Sequence, residues 1–227
     1  MIDKKEDLAF LQDTLSFWKE INDTQRTVLR QAISKKHFVP GEFMHSNSEN
    51  CSGLFLIKSG QIRAYIVSES GKEITLYRLF ERDVCIFSAS CIMKNISFDI
   101  YIEVEKETEA YLIPALIYHK LSTDSVPIQN FTNNLMASRF TDVMWIMEQA
   151  LFMSFDKRLA NFLIEQSNIE ESENLMITHE RIANHLGTAR EVVTRMLKYF
   201  QNEGMVVLNR GTIEITNREL LENLSER

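Results

Sequence analysis

A change of period near the middle of the chain narrows its possible folds more than any other feature. From about His37 to Pro114, apolar residues come in short alternating runs cut by turn residues. Phe38-Val39 stops at Pro40-Gly41, GLFLIKSG and QIRAYIVSES are split at Gly60, and Ser70-Gly71 separates them from KEITLYRLF. A Ser-Gly pair between two alternating runs is a hairpin signal, and IYIEVEKETEAYLI adds two more strands. Short strands with regular turns and no helices between them argue for an antiparallel sandwich or barrel, a jelly roll among them.

The segments on either side are helical. To about Ile33, Leu8, Leu11, Leu15, Trp18, Val28 and Leu29 follow a broken helical spacing, with Asp23 or Thr24 as the cap of a helix beginning near Gln25. From about Pro127, Phe131, Leu135, Met136, Phe140, Val143, Met147 and Leu151 recur at three and four residues. Such a long helix packs either on its own sheet or, through Met136, Phe140, Val143 and Met147, against a second copy. Beyond it, DKRLANFLIEQS, THERIANHLG and TAREVVTRMLKYFQNEG read as three helices. Thr178 caps the second, and Gly187 and Gly204 end the second and third. MVVLNRGTIEIT then forms two strands around Asn209-Arg210-Gly211.

Composition removes several classes of function. With 44% hydrophobic and 25% charged residues the chain reads as a soluble globular protein. No apolar run approaches a membrane span, and MIDKKEDLAF lacks a signal-peptide core, which points to the cytoplasm. The net charge of −7 argues against bulk polyelectrolyte binding but leaves room for a local positive face.

ERIANHLGTAREVVTRML supplies that face. Small Ala183 suits the crossing point of two helices, and Gly187 suits a turn needing positive φ. Ile182, Leu186, Val192, Val193, Met196 and Leu197 make an apolar interior. Ala189, Arg190, Glu191, Thr194, Arg195 and Lys198 are left outside, as a helix entering the DNA major groove requires. Arg donates two hydrogen bonds to guanine O6 and N7, and Glu accepts from the cytosine amino group. Arg190, Glu191 and Arg195 are therefore the candidate base readers. Thr178, Thr188, Thr194, Lys198 and Arg210 are candidate phosphate contacts. The plain alternative is a surface helix with Arg/Glu pairs at helical spacing; the preceding turn and the following hairpin favour base reading.

Strand-rich region, long helix, then TxxxIAxHLGTxREVVTRxLKxxxxxG and a hairpin resemble the CRP/FNR family of bacterial transcription regulators. The resemblance runs over nearly the whole chain, including the spacing of Gly41, Gly60 and Gly71. It implies an α+β fold in three parts. These are an effector-sensing, cyclic-nucleotide-binding-like β jelly roll with N-terminal helices (1–126), a dimerisation helix (127–152) and a winged helix-turn-helix (153–227). It also implies a homodimer on double-stranded DNA, with RNA polymerase a partner if the protein activates. Family members with Arg, Glu and Arg at the positions of Arg190, Glu191 and Arg195 read a TGTGA-like half-site. The FNR branch has an aliphatic residue where Arg190 stands, so a CRP-like half-site is expected.

The resemblance does not carry over to the effector. Where cyclic-AMP-binding members have Gly-Glu this chain has Arg82-Asp83, and where they have Arg-Ser it has Phe98-Asp99. An apolar residue in place of the phosphate-binding arginine, with an acid beside it, serves an anion poorly, so no cyclic-nucleotide binding is expected and the effector is an unknown small molecule. Three cysteines, Cys51, Cys85 and Cys91, cannot ligate an iron–sulfur cluster of the FNR type. Cys85 and Cys91 fall in the ligand loop with Ser88, where they are either a redox pair or buried small hydrophobes. His37, His45 and His119 are scattered with no HxH pair, leaving no metal site and no enzyme to expect. A sensor acting through protein contacts alone is the remaining class of reading, and the Arg190, Glu191, Arg195 set argues against it.

Overall fold

In a computed structural model, residues 5–45, 52–88 and 99–226 are described. They fall into two compact units, one of 1–66 with 76–143 and the other of 67–75 with 144–227.

The first unit opens with α1 (Lys5–Thr14), a 3-10 turn (Ser16–Lys19) and α2 (Asp23–Ala32). Asn22, one residue ahead of the two expected caps, starts α2: its side chain accepts from the Gln25 amide at 2.9 Å while Gln25 Oε1 accepts from the Asn22 amide at 3.1 Å. Reciprocal capping satisfies two amides at once and outranks a lone Asp or Thr.

The sheet comprises β1 (Ser34–Phe38), β2 (Phe43–His45), β3 (Gly53–Val67), β4 (Glu73–Leu79), β5 (Val84–Cys85) and β6 (Tyr101–Pro114), with main order β1-β6-β3-β4. The pairs β1–β6, β2–β6, β3–β5 and β3–β6 are all antiparallel. Two expected breaks are absent. Gly60 does not divide two strands; β3 runs through it with register shifts between Ile57 and Ile62. At φ +97, with the Glu107 carbonyl and Thr108 side chain where a Cβ would stand, Gly60 permits a bulge that other residues would block. IYIEVEKETEAYLI is likewise one strand, because it pairs along its length with the equally long β3.

Alternation along β3 and β6 sends Ile62, Ala64, Ile102 and Val104 to one apolar cluster. The opposite face is also covered. There Arg63, 1% exposed, donates to Glu103 at 2.9 Å and lies 4.0 Å over the Tyr65 ring. Beside it Gln61 donates to Glu105 at 2.7 Å and Tyr65 stacks on Tyr101. A second cluster joins β3 and β6 to α1, α2 and α3 (Ala115–Thr123) through Leu11, Leu15, Leu29, Leu54, Leu56, Tyr111 and Tyr118. At its edge, buried Asp7 accepts from Tyr111 at 2.5 Å and pairs with Lys35 at 2.8 Å. Burial alone would raise the Asp7 carboxyl, but these hydrogen bonds outweigh it and hold the carboxyl below its usual range.

α4 (Val126–Phe152) is continuous over the span where helical spacing was expected. Among its described residues only Ile128 is fully buried. Met136 and Val143 pack on this chain's own sheet, whereas Phe140, Trp145, Met147, Leu151 and Phe152 remain exposed.

The second unit holds α5 (Phe155–Glu170), β7 (Asn174–Leu175), α6 (His179–Leu186), α7 (Arg190–Asn202), β8 (Val206–Asn209), β9 (Thr212–Ile215) and α8 (Arg218–Glu226). Its core is Leu159, Phe162, Leu163, Leu175, Ile182, Val193, Leu197, Phe200, Ile213 and Leu221. Burying a Leu in such a core contributes roughly 1.5–3 kcal/mol. α8 is fixed by Arg218, which donates to Glu222, Ser167, Glu173 and Asn168.

Candidate nucleic-acid interface

The site grows from the turn between α6 and α7. Thr178 caps α6, its Oγ1 accepting from the Arg181 amide at 3.1 Å. Gly187 closes α6 at φ +67, and the amides of Gly187 and Thr188 both return to the Ala183 carbonyl. Half-buried Arg158, its guanidinium pKa lowered by desolvation, also donates to the Leu186 carbonyl at 3.3 Å. Buried His185 packs its ring at a tilt against Phe162 and bonds Thr75 at 2.9 Å within the same unit, a role without any local signal in the sequence. The turn is thereby held by backbone, cation and ring together, and it fixes where α7 begins.

α7 buries Val193, Leu197 and Phe200 and turns Arg190, Glu191, Arg195 and Lys198 outward. Glu191 and Arg195 stand four apart, yet no ion pair joins them. No side-chain hydrogen bond or ion pair joins Arg190, Glu191, Arg195, Lys198 or Arg210 to another described residue. An exposed i,i+4 pair is worth only about 0.2–0.5 kcal/mol, so a ligand can engage either charge at little cost. β8 and β9 form a hairpin with the two-residue turn Arg210-Gly211, narrower than the three residues expected, with Asn209 paired to Thr212. A groove of about 420 Å³ lies between this hairpin and the starts of α6 and α7, lined by Thr178, His179, Glu180, Arg190, Asn209 and Thr212 among others.

The candidate phosphate contacts divide. Thr178, Lys198 and Arg210 are exposed and Thr188 half-buried. Thr194 differs: its hydroxyl donates to the Arg190 carbonyl at 2.9 Å and meets His179 Nδ1 at 2.9 Å, so its one proton is committed within the fold. His179 was not singled out in the sequence, and only its position one residue after a helix cap could have drawn attention to it.

The residues expected around an effector are less unified. Arg82, exposed and at φ +72, and Asp83 belong to a turn in which Asp83 accepts from the Phe80 amide. Asp99 is exposed, Ser88 is buried and donates to the Gly53 and Cys85 carbonyls, and Cys91 and Phe98 lie outside the described residues. Cys85 is fully buried, and desolvation raises its thiol, which disfavours the thiolate that redox chemistry needs. Among the described residues, the buried side-chain groups with no hydrogen-bond partner include the Tyr77 hydroxyl and Arg139 Nε, with the Arg139 guanidinium 4.7 Å over the Tyr77 ring. His37 pairs with Glu107 at 2.8 Å. Among the described residues no three or more His, Cys, Asp or Glu come together as metal ligands, and no helix is long and apolar enough to cross a membrane.

A helix-turn-helix with a β wing and outward-facing charges, in a chain that also carries an antiparallel sheet and a long helix, is the build of a DNA-binding regulator. Residues 157–224 match the Crp-like helix-turn-helix domain. A crystal structure from Eubacterium rectale ATCC 33656, assigned to the CRP/FNR family of transcriptional regulators, is 49% identical, covers 95% of this chain and 100% of that one, and superposes with a TM-score of 0.93. The regulatory protein HlyX of Actinobacillus pleuropneumoniae is 27% identical over 210 residues, 88% of this chain and 86% of that one. The fumarate and nitrate reduction regulatory protein of Escherichia coli K12 is 27% identical over 202 residues, 84% of this chain and 78% of that one. The chain belongs to the CRP/FNR family of transcription regulators.

Proposed function

We propose that two copies of this chain bind a palindromic operator with TGTGA-like half-sites about one DNA turn apart. Arg190, Glu191 and Arg195 read bases, while Thr178, Thr188, Lys198 and Arg210 contact phosphates. The carrying observation is that the outward charges of α7 are unpaired within the fold, so all their hydrogen-bonding capacity is open to base edges. Two-fold pairing draws support from the apolar face that α4 leaves exposed at Phe140, Met147 and Leu151. The protein works in the cytoplasm as a regulator rather than an enzyme, contacting RNA polymerase where it activates.

A small effector that is not cyclic AMP biases α4 and, through it, the spacing of the two recognition helices. The unpaired Tyr77 hydroxyl and Arg139 Nε are two donors suited to an acceptor group on that effector. Selection of duplexes from random DNA tests the operator. Recovery of TGTGA-like inverted repeats is expected, and an FNR-type TTGAT core bound equally well would sink the base assignment. Micromolar cyclic AMP binding in calorimetry would overturn the effector reading.

A further inference from the structure

His179 is the first residue of α6 and is half-buried against α7. Thr194 holds one hydroxyl proton, and the Arg190 carbonyl 2.9 Å away can only accept it. The ring nitrogen 2.9 Å from the same Oγ1 must then be the donor, which places a proton on His179 Nδ1. In the neutral ring Nε2 is left as a bare acceptor, with no protein partner among the described residues and with the ring lining the groove beside the wing. Protonation would turn that atom into a cationic donor without disturbing the Thr194 bond. The charged groups lining the groove with it are Glu180, next to it on α6, and Arg190 on α7; from the wing the lining residues Asn209, Gly211 and Thr212 carry no charge. Burial and, after it, Arg190 favour the neutral ring in the free protein. A DNA phosphate entering the groove would reverse that balance by pairing with the charged form.

We infer that His179 takes up a proton when DNA binds and that its Nε2–H then donates to a backbone phosphate, coupling operator affinity to pH near neutrality. The inference rests on the DNA-binding role of α7, and it assigns to His179 the phosphate contact for which Thr194 has no proton left. The sign follows from linkage. The free ring is neutral near pH 7 and the bound ring is charged, so binding consumes a proton and tightens as pH falls.

The test is fluorescence anisotropy with the full-length chain, from pH 8 to pH 6 at fixed salt, on a duplex the protein selects from random DNA. Wild type is expected to bind about five- to tenfold tighter per half-site at pH 6 than at pH 8, the scale of one charge-assisted hydrogen bond. H179Q, neutral throughout, should lose that slope and match wild type at pH 8. H179R, charged throughout, should also be flat but should bind at pH 8 as wild type does at pH 6. Calorimetry in buffers of different ionisation enthalpy should show proton uptake by wild type and none by H179Q. An unchanged slope in H179Q overturns the inference. So does affinity that falls with falling pH, because Nε2 would then be accepting a base amino group. Failure of the wild type to select any duplex would instead overturn the DNA-binding reading itself.

Discussion

The sheet of the first unit and the recognition helix of the second treat charge in opposite ways. On β3 and β6, Arg63, Glu103, Gln61 and Glu105 are buried or half-buried and paired with one another. On α7, Arg190, Glu191 and Arg195 are exposed and unpaired, although Glu191 and Arg195 are spaced to pair. A charge paired inside the fold serves the fold, and removing its partner leaves it desolvated. A charge left unpaired on an exposed helix start contributes little to stability beyond its interaction with the helix dipole, and stays open to a ligand.

Five substitutions would break or sharpen this contrast. Arg63→Ala should be the most costly, destabilising the chain by about 3–5 kcal/mol because it removes the fully buried cation from a largely buried ion pair; thermal unfolding measures it, and a loss under 1 kcal/mol would show that water reaches the pair. Arg190→Ala and Arg195→Ala should leave melting unchanged and cost roughly 1–3 kcal/mol of operator binding, relaxing specificity at one base pair each. Uniform weakening across all sequences would make the residue a phosphate contact instead. Arg218→Ala should cost about 1 kcal/mol of stability in chemical denaturation, since its ion pairs are partly exposed; greater loss would mean that α8 detaches as a unit. Asp7 provides the smallest and most pH-specific effect. Its carboxyl is held low, so its contribution is present above about pH 4 and is lost as pH falls below that through the folded value. Asp7→Asn should reduce stability at neutral pH and flatten this acid limb, which acid titration followed by circular dichroism would show.

Much of the second unit could be read from local signals. Thr178 as cap, Gly187 as a left-handed stop and the apolar spacing of Val193 and Leu197 are each decided within a few residues, and so the position of Arg190, Glu191 and Arg195 was legible before any coordinates. The sheet was legible in class but not in detail. Whether β3 breaks at Gly60 depends on β6, which lies about forty residues further along the chain, and a bulge there leaves no local mark. Asn22 was passed over because a capping box is recognised only when Gln25 is read with it. α8 escaped because its anchor is Arg218 reaching back to Ser167, Asn168 and Glu173. His179 and Tyr77 were missed for the same reason: one acts through Thr194 on another helix, and the other is notable for a partner it lacks.

The exposed face of α4 has a genetic consequence. If two copies meet along Phe140, Met147 and Leu151, pairing and DNA reading are carried by different parts of each chain. An allele crippled at Arg190 would still pair with intact chains and draw them into one-handed dimers, which hold only a single half-site. Such an allele should be dominant over wild type in a cell expressing both, and adding a charge at Phe140 should make it recessive again.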